Sequence, residues 1–170
     1  MVKIITAEIK DIPTIKKLAK QLWPIAFKSI LSTEQIKYMM NMMYSQESIE
    51  KQMKDGHQYG IVNESDVAIG YVSYETNHNE THKTKIHKLY ISPHYQRRGI
   101  GKIVVDYVAD KARKSNNYTL FLNVNKHNQS AIDFYKKQNF NLLKEEEIDI
   151  GNGFIMDDFV FELKLNEVTS

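Results

Sequence analysis

Cysteine is absent from this 170-residue sequence. That absence removes a disulfide framework, a thiolate metal site and a thiol nucleophile, and it fits a reducing compartment, with the cytoplasm as the expected location. Proline and glycine are scarce, at three and seven residues. No Pro/Gly/Ser-rich linker, low-complexity tract or internal repeat divides the chain, so it reads as one domain over residues 1–170. Long apolar runs are missing too: none approaches the roughly eighteen residues of a membrane span. The opening Met1-Val2-Lys3-Ile4-Ile5 leads into a strand instead of the apolar core of a signal peptide. An excess of one charge is also lacking, with 23 basic against 21 acidic residues and a net charge of +2. Neither a membrane nor a nucleic acid is therefore an expected partner, and any basic site must be local.

What is present suits a globular core. Hydrophobic residues make up 42% of the chain and charged residues 26%, and a chain of this size buries roughly two thirds of its unfolded surface. Strand-like and helix-like patterns alternate throughout. A strand over 2–8 precedes a helix in which Asp11 is the cap, Ile12, Ile15, Leu18 and Leu22 recur at helical spacing, and Pro24 marks the end. Ser32-Thr33-Glu34-Gln35 has the form of a capping box before the apolar face Ile36, Met39, Met40 and Met43. A short helix over 48–54 leads to strands over 57–63 and 67–76, and Lys85 to Ile91 forms the next strand. From Gly101 to Lys114, Ile103, Val104, Tyr107, Val108 and Ala112 make a helical stripe. A strand over 118–124, a short helix over 128–138 and a hairpin around Gly151-Asn152-Gly153 complete the chain. The order predicts an α/β fold: a mixed, mainly antiparallel, twisted sheet of about seven strands with helices on both faces.

The stretch richest in chemistry is Leu89-Tyr90-Ile91-Ser92-Pro93-His94-Tyr95-Gln96-Arg97-Arg98-Gly99-Ile100-Gly101-Lys102. It reads as a buried strand, a polar turn and the start of an amphipathic helix. Clustered backbone N–H groups at a helix start bind phosphate well, glycine admits close approach, and Arg97, Arg98 and Lys102 add positive charge. The same pattern also serves packing or a dinucleotide. The dinucleotide fingerprint fails because Val104 occupies its third glycine position, and the nucleotide P-loop fails because Ile103 follows Lys102.

Gln96-Arg97-Arg98-Gly99-Ile100-Gly101 resembles the acyl-CoA signature of the GNAT superfamily of N-acetyltransferases. Asn128 followed by Ala131-Ile132-Asp133-Phe134-Tyr135 and then Asn139-Phe140 resembles a second pattern of that family, with asparagine where glycine is usual. The resemblance implies acetyl-CoA as co-substrate, with Leu89, Tyr90 and Ile91 on pantetheine, Gln96 through Lys102 on the pyrophosphate, and Asn128 and Tyr135 at the thioester. It implies direct transfer of acetyl to a primary amine and looks closest to bacterial members acting on polyamines or similar small amines.

Within that resemblance Tyr135 is a candidate general acid, since a phenol with a reference pKa near 10 stays protonated at neutral pH and can donate to a departing thiolate. Its alternative is plain packing beside Phe134. His87 is the first candidate base, with Glu75 in reserve, and a structural histidine is the alternative. His78, His82, His94 and His127 fall among polar loop residues without metal-ligand spacing, so no metal is expected. Glu34, Asp157 and Asp158 are candidate residues for a cationic acceptor; they serve solubility equally well. A non-catalytic acyl-CoA-binding module is the rival reading, and a second copy of the chain is the one macromolecular partner left open.

Overall fold

The computed structural model describes residues 1–166. In chain order the elements are β1 (Val2–Thr6), α1 (Ile12–Phe27), α2 (Thr33–Tyr44), α3 (Gln46–Lys54), β2 (Gln58–Glu64), β3 (Val67–Glu75), β4 (Thr84–Ile91), α4 (Ile100–Lys114), β5 (Thr119–Asn125), α5 (Gln129–Lys137), β6 (Asn141–Gly151) and β7 (Phe154–Lys164). The strands are hydrogen-bonded in the order β1-β2-β3-β4-β5-β7-β6. Pairs β1–β2, β2–β3, β5–β7 and β6–β7 are antiparallel, and β4–β5 is parallel. This is the expected mixed, mainly antiparallel sheet.

The chain forms two compact units, one of Met1–Glu75 with His87–Val108, the other of Thr76–Ile86 with the described residues from Ala109 onward. Strand β4 and helix α4 each contribute to both. In the first unit the buried stripe Ile12, Ile15, Leu18, Leu22 and Trp23 of α1 joins Ile61, Ile69 and Val72 of β2 and β3 in the core. In the second, Leu120, Leu122, Val124, Ile132, Phe140, Val160 and Phe161 are buried. Helical and strand periodicities each place one face inward, and that burial supplies most of the stability.

Three local expectations are corrected. Pro24 does not end α1, which continues to Phe27 with the Lys28 N–H bonded to the Pro24 carbonyl at 2.9 Å. Trp23 and Phe27, both buried with ring centroids 4.2 Å apart, hold the last turn against the roughly 3 kcal/mol that an internal proline costs. Asp11 makes no side-chain cap to α1; its carboxylate accepts the Glu8 N–H at 2.9 Å within a preceding 3₁₀ turn. Ile103 is exposed, while Ile100, Val104, Val105, Val108 and Ala112 face inward, so the stripe on α4 is rotated by part of a turn. Ser32 does cap α2, accepting the Gln35 N–H at 3.1 Å. Asn139 adopts the left-handed conformation, φ +69°, that lets it replace glycine after α5.

Candidate active site

Strand β3 and the end of β4 approach so closely that a Cβ on Gly70 would sit 2.4 Å from the Tyr90 carbonyl oxygen. Only glycine fits there, and the contact fixes the backbone of Tyr90 and Ile91. Burial along β4 alternates through Thr84, Ile86 and Lys88 and then slips by one residue to Ile91. The Ser92 N–H bonds the Ile69 carbonyl at 2.8 Å, and Gln96 Nε2 donates to the Ile91 carbonyl at 2.9 Å. The Gln96 amide therefore ties the turn back to the strand.

Arg97 and Gly99 take left-handed φ values of +63° and +78°, and this reversal starts α4, whose Ile103 N–H returns to the Gly99 carbonyl at 3.2 Å. The N–H groups of Ile100, Gly101 and Lys102 head the helix, where no preceding helical carbonyl can receive them. Together with the helix dipole such donors are suited to an anion. Arg98 pairs with Glu64 at 3.3 Å and Lys102 with Asp106 at 2.7 Å. Both pairs are exposed and worth no more than about 1 kcal/mol each, so phosphate oxygens can replace the carboxylates at little cost.

On the same unit, His87 of β4 meets Glu75 at the end of β3, with Nε2 3.0 Å from Oε1. His57, just before β2, brings its own Nε2 to 3.4 Å from that oxygen, and its ring stacks on His87 with centroids 4.0 Å apart and planes 8° from parallel. Their donor atoms lie within 4.8 Å of one another, a spacing that could gather a metal ion. Imidazole nitrogens bind a metal in the ring plane, and two parallel stacked planes do not share an in-plane point. As placed, His87 is within hydrogen-bond distance of Glu75, and His57 lies at ion-pair distance from the same oxygen. No sequence spacing joins residues 57, 75 and 87, which meet only through strand pairing. His78, read as a solvated loop residue, instead lies edge-on to Phe121 at 5.5 Å.

Lys88 carries no signal in the sequence, yet it is 8% exposed. Its Nζ donates to Tyr59 Oη at 2.6 Å and Gln52 Oε1 at 2.8 Å, and it lies 4.7 Å from the Tyr44 ring centroid. Tyr44 and Tyr71 share a hydroxyl contact of 2.7 Å, and burial raises both phenols well above the usual value, so they stay neutral. With a neutral cage around it, burial lowers the Lys88 ammonium from 10.5 to about 7. Below pH 7 both folded and unfolded chains carry this proton, and the folded state bears the full desolvation cost. From about pH 7 to 10.5 the unfolded chain holds a proton the folded one lacks, so stability rises with pH. Lys88→Met is expected to be more stable than the parent at pH 6.5, with the advantage shrinking by about 3 kcal/mol by pH 9.5. Urea unfolding of both proteins at each pH measures this, and a constant difference contradicts it.

On the second unit, Asn128 caps α5, its Oδ1 accepting the Ala131 N–H at 3.2 Å. Tyr135 is buried, its ring 5.0 Å from Phe134 and 5.3 Å from Phe140. The neighbours Asp157 and Asp158 differ: Asp157 pairs with Lys126 at 2.8 Å, whereas Asp158 is 4% exposed and accepts from Asn123 Nδ2 at 3.3 Å. Burial raises the Asp158 carboxyl, with Glu146 and Asp157 adding to the effect and Asn123 opposing it. Glu34 lies in the first turn of α2, on the other unit.

Among the described residues no helix is long and apolar enough to cross a membrane. The model of the acetyltransferase (GNAT) family matches residues 17–140. A spermidine N(1)-acetyltransferase of Thermoplasma acidophilum is 25% identical over 162 residues, covering 92% of this chain and 96% of that protein. An uncharacterised N-acetyltransferase of Lactobacillus delbrueckii subsp. lactis is 22% identical over 158 residues, 89% of this chain and 91% of the relative. The fold matches the crystal structure of the PaiA N-acetyltransferase of Thermoplasma acidophilum in complex with coenzyme A, with a TM-score of 0.79, 22% identity, and coverage of 96% of this chain and 99% of that one.

Proposed function

The chain belongs to the acetyltransferase (GNAT) family and is an acetyl-CoA-dependent N-acetyltransferase; we propose that it transfers acetyl directly to a primary amine of a small cationic acceptor, a polyamine being the first choice. The observation that carries the reading is the turn from Gln96 to Lys102, where left-handed Arg97 and Gly99 reverse the chain just before the N–H groups that head α4. A pyrophosphate fits those donors. The parallel ladder of β4 with β5 covers Thr84–Ile86, and Leu89, Tyr90 and Ile91, further along β4 toward the turn, are the proposed contacts of the pantetheine arm. Acetyl-CoA, when bound, would supply the thioester and leave as the coenzyme A thiol; the chain's residues would orient it and move protons.

An acceptor amine must lose a proton to attack, and His87 is the proposed base. With Nε2–H donated to Glu75, Nδ1 becomes the basic nitrogen of the ring, and the carboxylate stabilises the imidazolium that follows. Tyr135 is the proposed acid for the leaving thiolate, and Asn128 the proposed thioester-end contact. The non-catalytic alternative binds acetyl-CoA without releasing thiol when an amine is added. Thiol release across polyamines, aminoglycosides, amino acids and peptides separates the two readings.

The cationic acceptor is supported by the acidic residues Glu34, Glu145 to Glu147, Asp157 and Asp158, and by the spermidine acetyltransferase among the relatives. Since carboxylates attract a polycation through a screened potential, kcat/KM for spermidine is expected to fall about three- to tenfold as ionic strength rises from 0.02 to 0.2 M. Asp158→Asn, with Asp157→Asn as its surface counterpart, should lower it by a similar factor at low salt. Spermidine left unacetylated, or use of it indifferent to both salt and substitution, removes the polyamine assignment while leaving acetyl transfer open to another amine.

A further inference from the structure

His57 belongs to neither family motif, yet it touches both other members of the half-buried cluster on β3 and β4. One oxygen, Glu75 Oε1, meets His87 Nε2 at 3.0 Å and His57 Nε2 at 3.4 Å, and the two rings lie flat on each other at 4.0 Å. We infer that His57 is a positioning residue of the proton-accepting site: it holds the plane of His87 by stacking and shares Glu75 with it, so that the pair takes up one proton at a time. This rests on the reading of His87 as the base.

The physical reason is charge. Two stacked imidazolium rings repel strongly where solvent is largely excluded, and Glu75 can neutralise one of them. Other charged groups lie near the cluster. Asp55 feels His57 but is bonded to Lys51 at 2.5 Å, with Lys54 alongside. Glu8 and Lys10 line a cleft of about 510 Å³ with His57 and pair with each other at 3.3 Å. Lys88, next to His87 on β4, is itself a cation when protonated. Glu75 is the carboxylate that these distances place against both rings. When His87 takes the acceptor's proton at Nδ1, the new charge rests on Glu75 and on the face of a neutral His57 ring.

The test is ¹H–¹⁵N NMR of the imidazole rings in the full chain without ligand, titrated across neutral pH. In the parent, His57 and His87 are expected to give mutually dependent, two-step curves. In His57→Phe, which keeps a stacked ring but cannot titrate, His87 should titrate in one step with its midpoint moved up by about half to one pH unit, because Glu75 then serves it alone. The acidic limb of kcat/KM should move with it. His57→Leu, which removes the ring together with its contact to Glu75, should move the midpoint the same way and covers the case in which phenylalanine disturbs folding. A midpoint of His87 unchanged in both variants overturns the inference, as do independent single-step curves in the parent. Stoichiometric binding of added Zn²⁺ that shifts both rings, reversed by EDTA, also overturns it in favour of a metal site. Coupled rings in a protein whose rate and pH profile survive His87→Gln instead overturn the base reading. Uncoupled rings in an active enzyme overturn this inference alone.

Discussion

Gly101→Val is expected to fold normally and to lose acetyl-CoA binding by about a thousandfold. The residue is the second of α4, among the N–H groups that head the helix. A valine side chain there would stand between the turn and an incoming pyrophosphate. Loss of two charge-assisted N–H contacts at about 2 kcal/mol each gives that factor. Valine has a better helix propensity than glycine, so the fold should not suffer from the substitution itself. Calorimetric titration with acetyl-CoA, alongside a thermal melt showing a native-like transition, measures both halves of the expectation. An unchanged affinity in a folded variant removes the pyrophosphate from this turn.

Tyr135→Phe is expected to lower kcat by ten- to a thousandfold, in the usual range for losing a general acid, while leaving affinity for acetyl-CoA within about twofold. The ring already packs between Phe134 and Phe140 at 5.0 and 5.3 Å. Phenylalanine keeps those contacts and removes only the hydroxyl. Because the packing alternative needs the ring and the acid needs the O–H, the substitution separates them. The comparison must be made where chemistry limits turnover, shown by a rate that follows single-turnover thiol release. Equal rates under that condition return Tyr135 to the core.

The pH behaviour of activity and stability should differ. Lys88 makes stability rise between about pH 7 and 10.5, whereas the acidic limb of kcat/KM is proposed to report the His57, Glu75 and His87 cluster. Lys88→Met therefore alters the unfolding curves, and His57→Phe the kinetic profile, so the two effects can be read from separate measurements.

Element order and the chain reversal before α4 were legible because their determinants are local. Ser32 caps α2, Asn139 supplies a left-handed helix end, and Gly99 reverses the chain before α4, each within a few residues of where its effect is felt. Pro24 was misplaced as a helix end because the opposing force, burial of Trp23 and Phe27, comes from packing. Ile103 was assigned inward for a related reason: periodicity gives the repeat of a face, and the angle of that face is decided by what lies opposite.

The sequence by itself determined the strand and helix order, the turn over Gln96 to Lys102 and the two motifs that mark the family, since all of these depend on spacing along one continuous stretch. Only the tertiary structure decided that His57 and Glu75 join His87, that Lys88 is enclosed by Tyr44, Tyr59 and Gln52, and that Asp158 is buried while Asp157 is paired to Lys126. These arrangements set charge and proton affinity, which depend on distance and burial. Strand register brings together residues 57, 75 and 87, and nothing in their separation along the chain specifies that meeting.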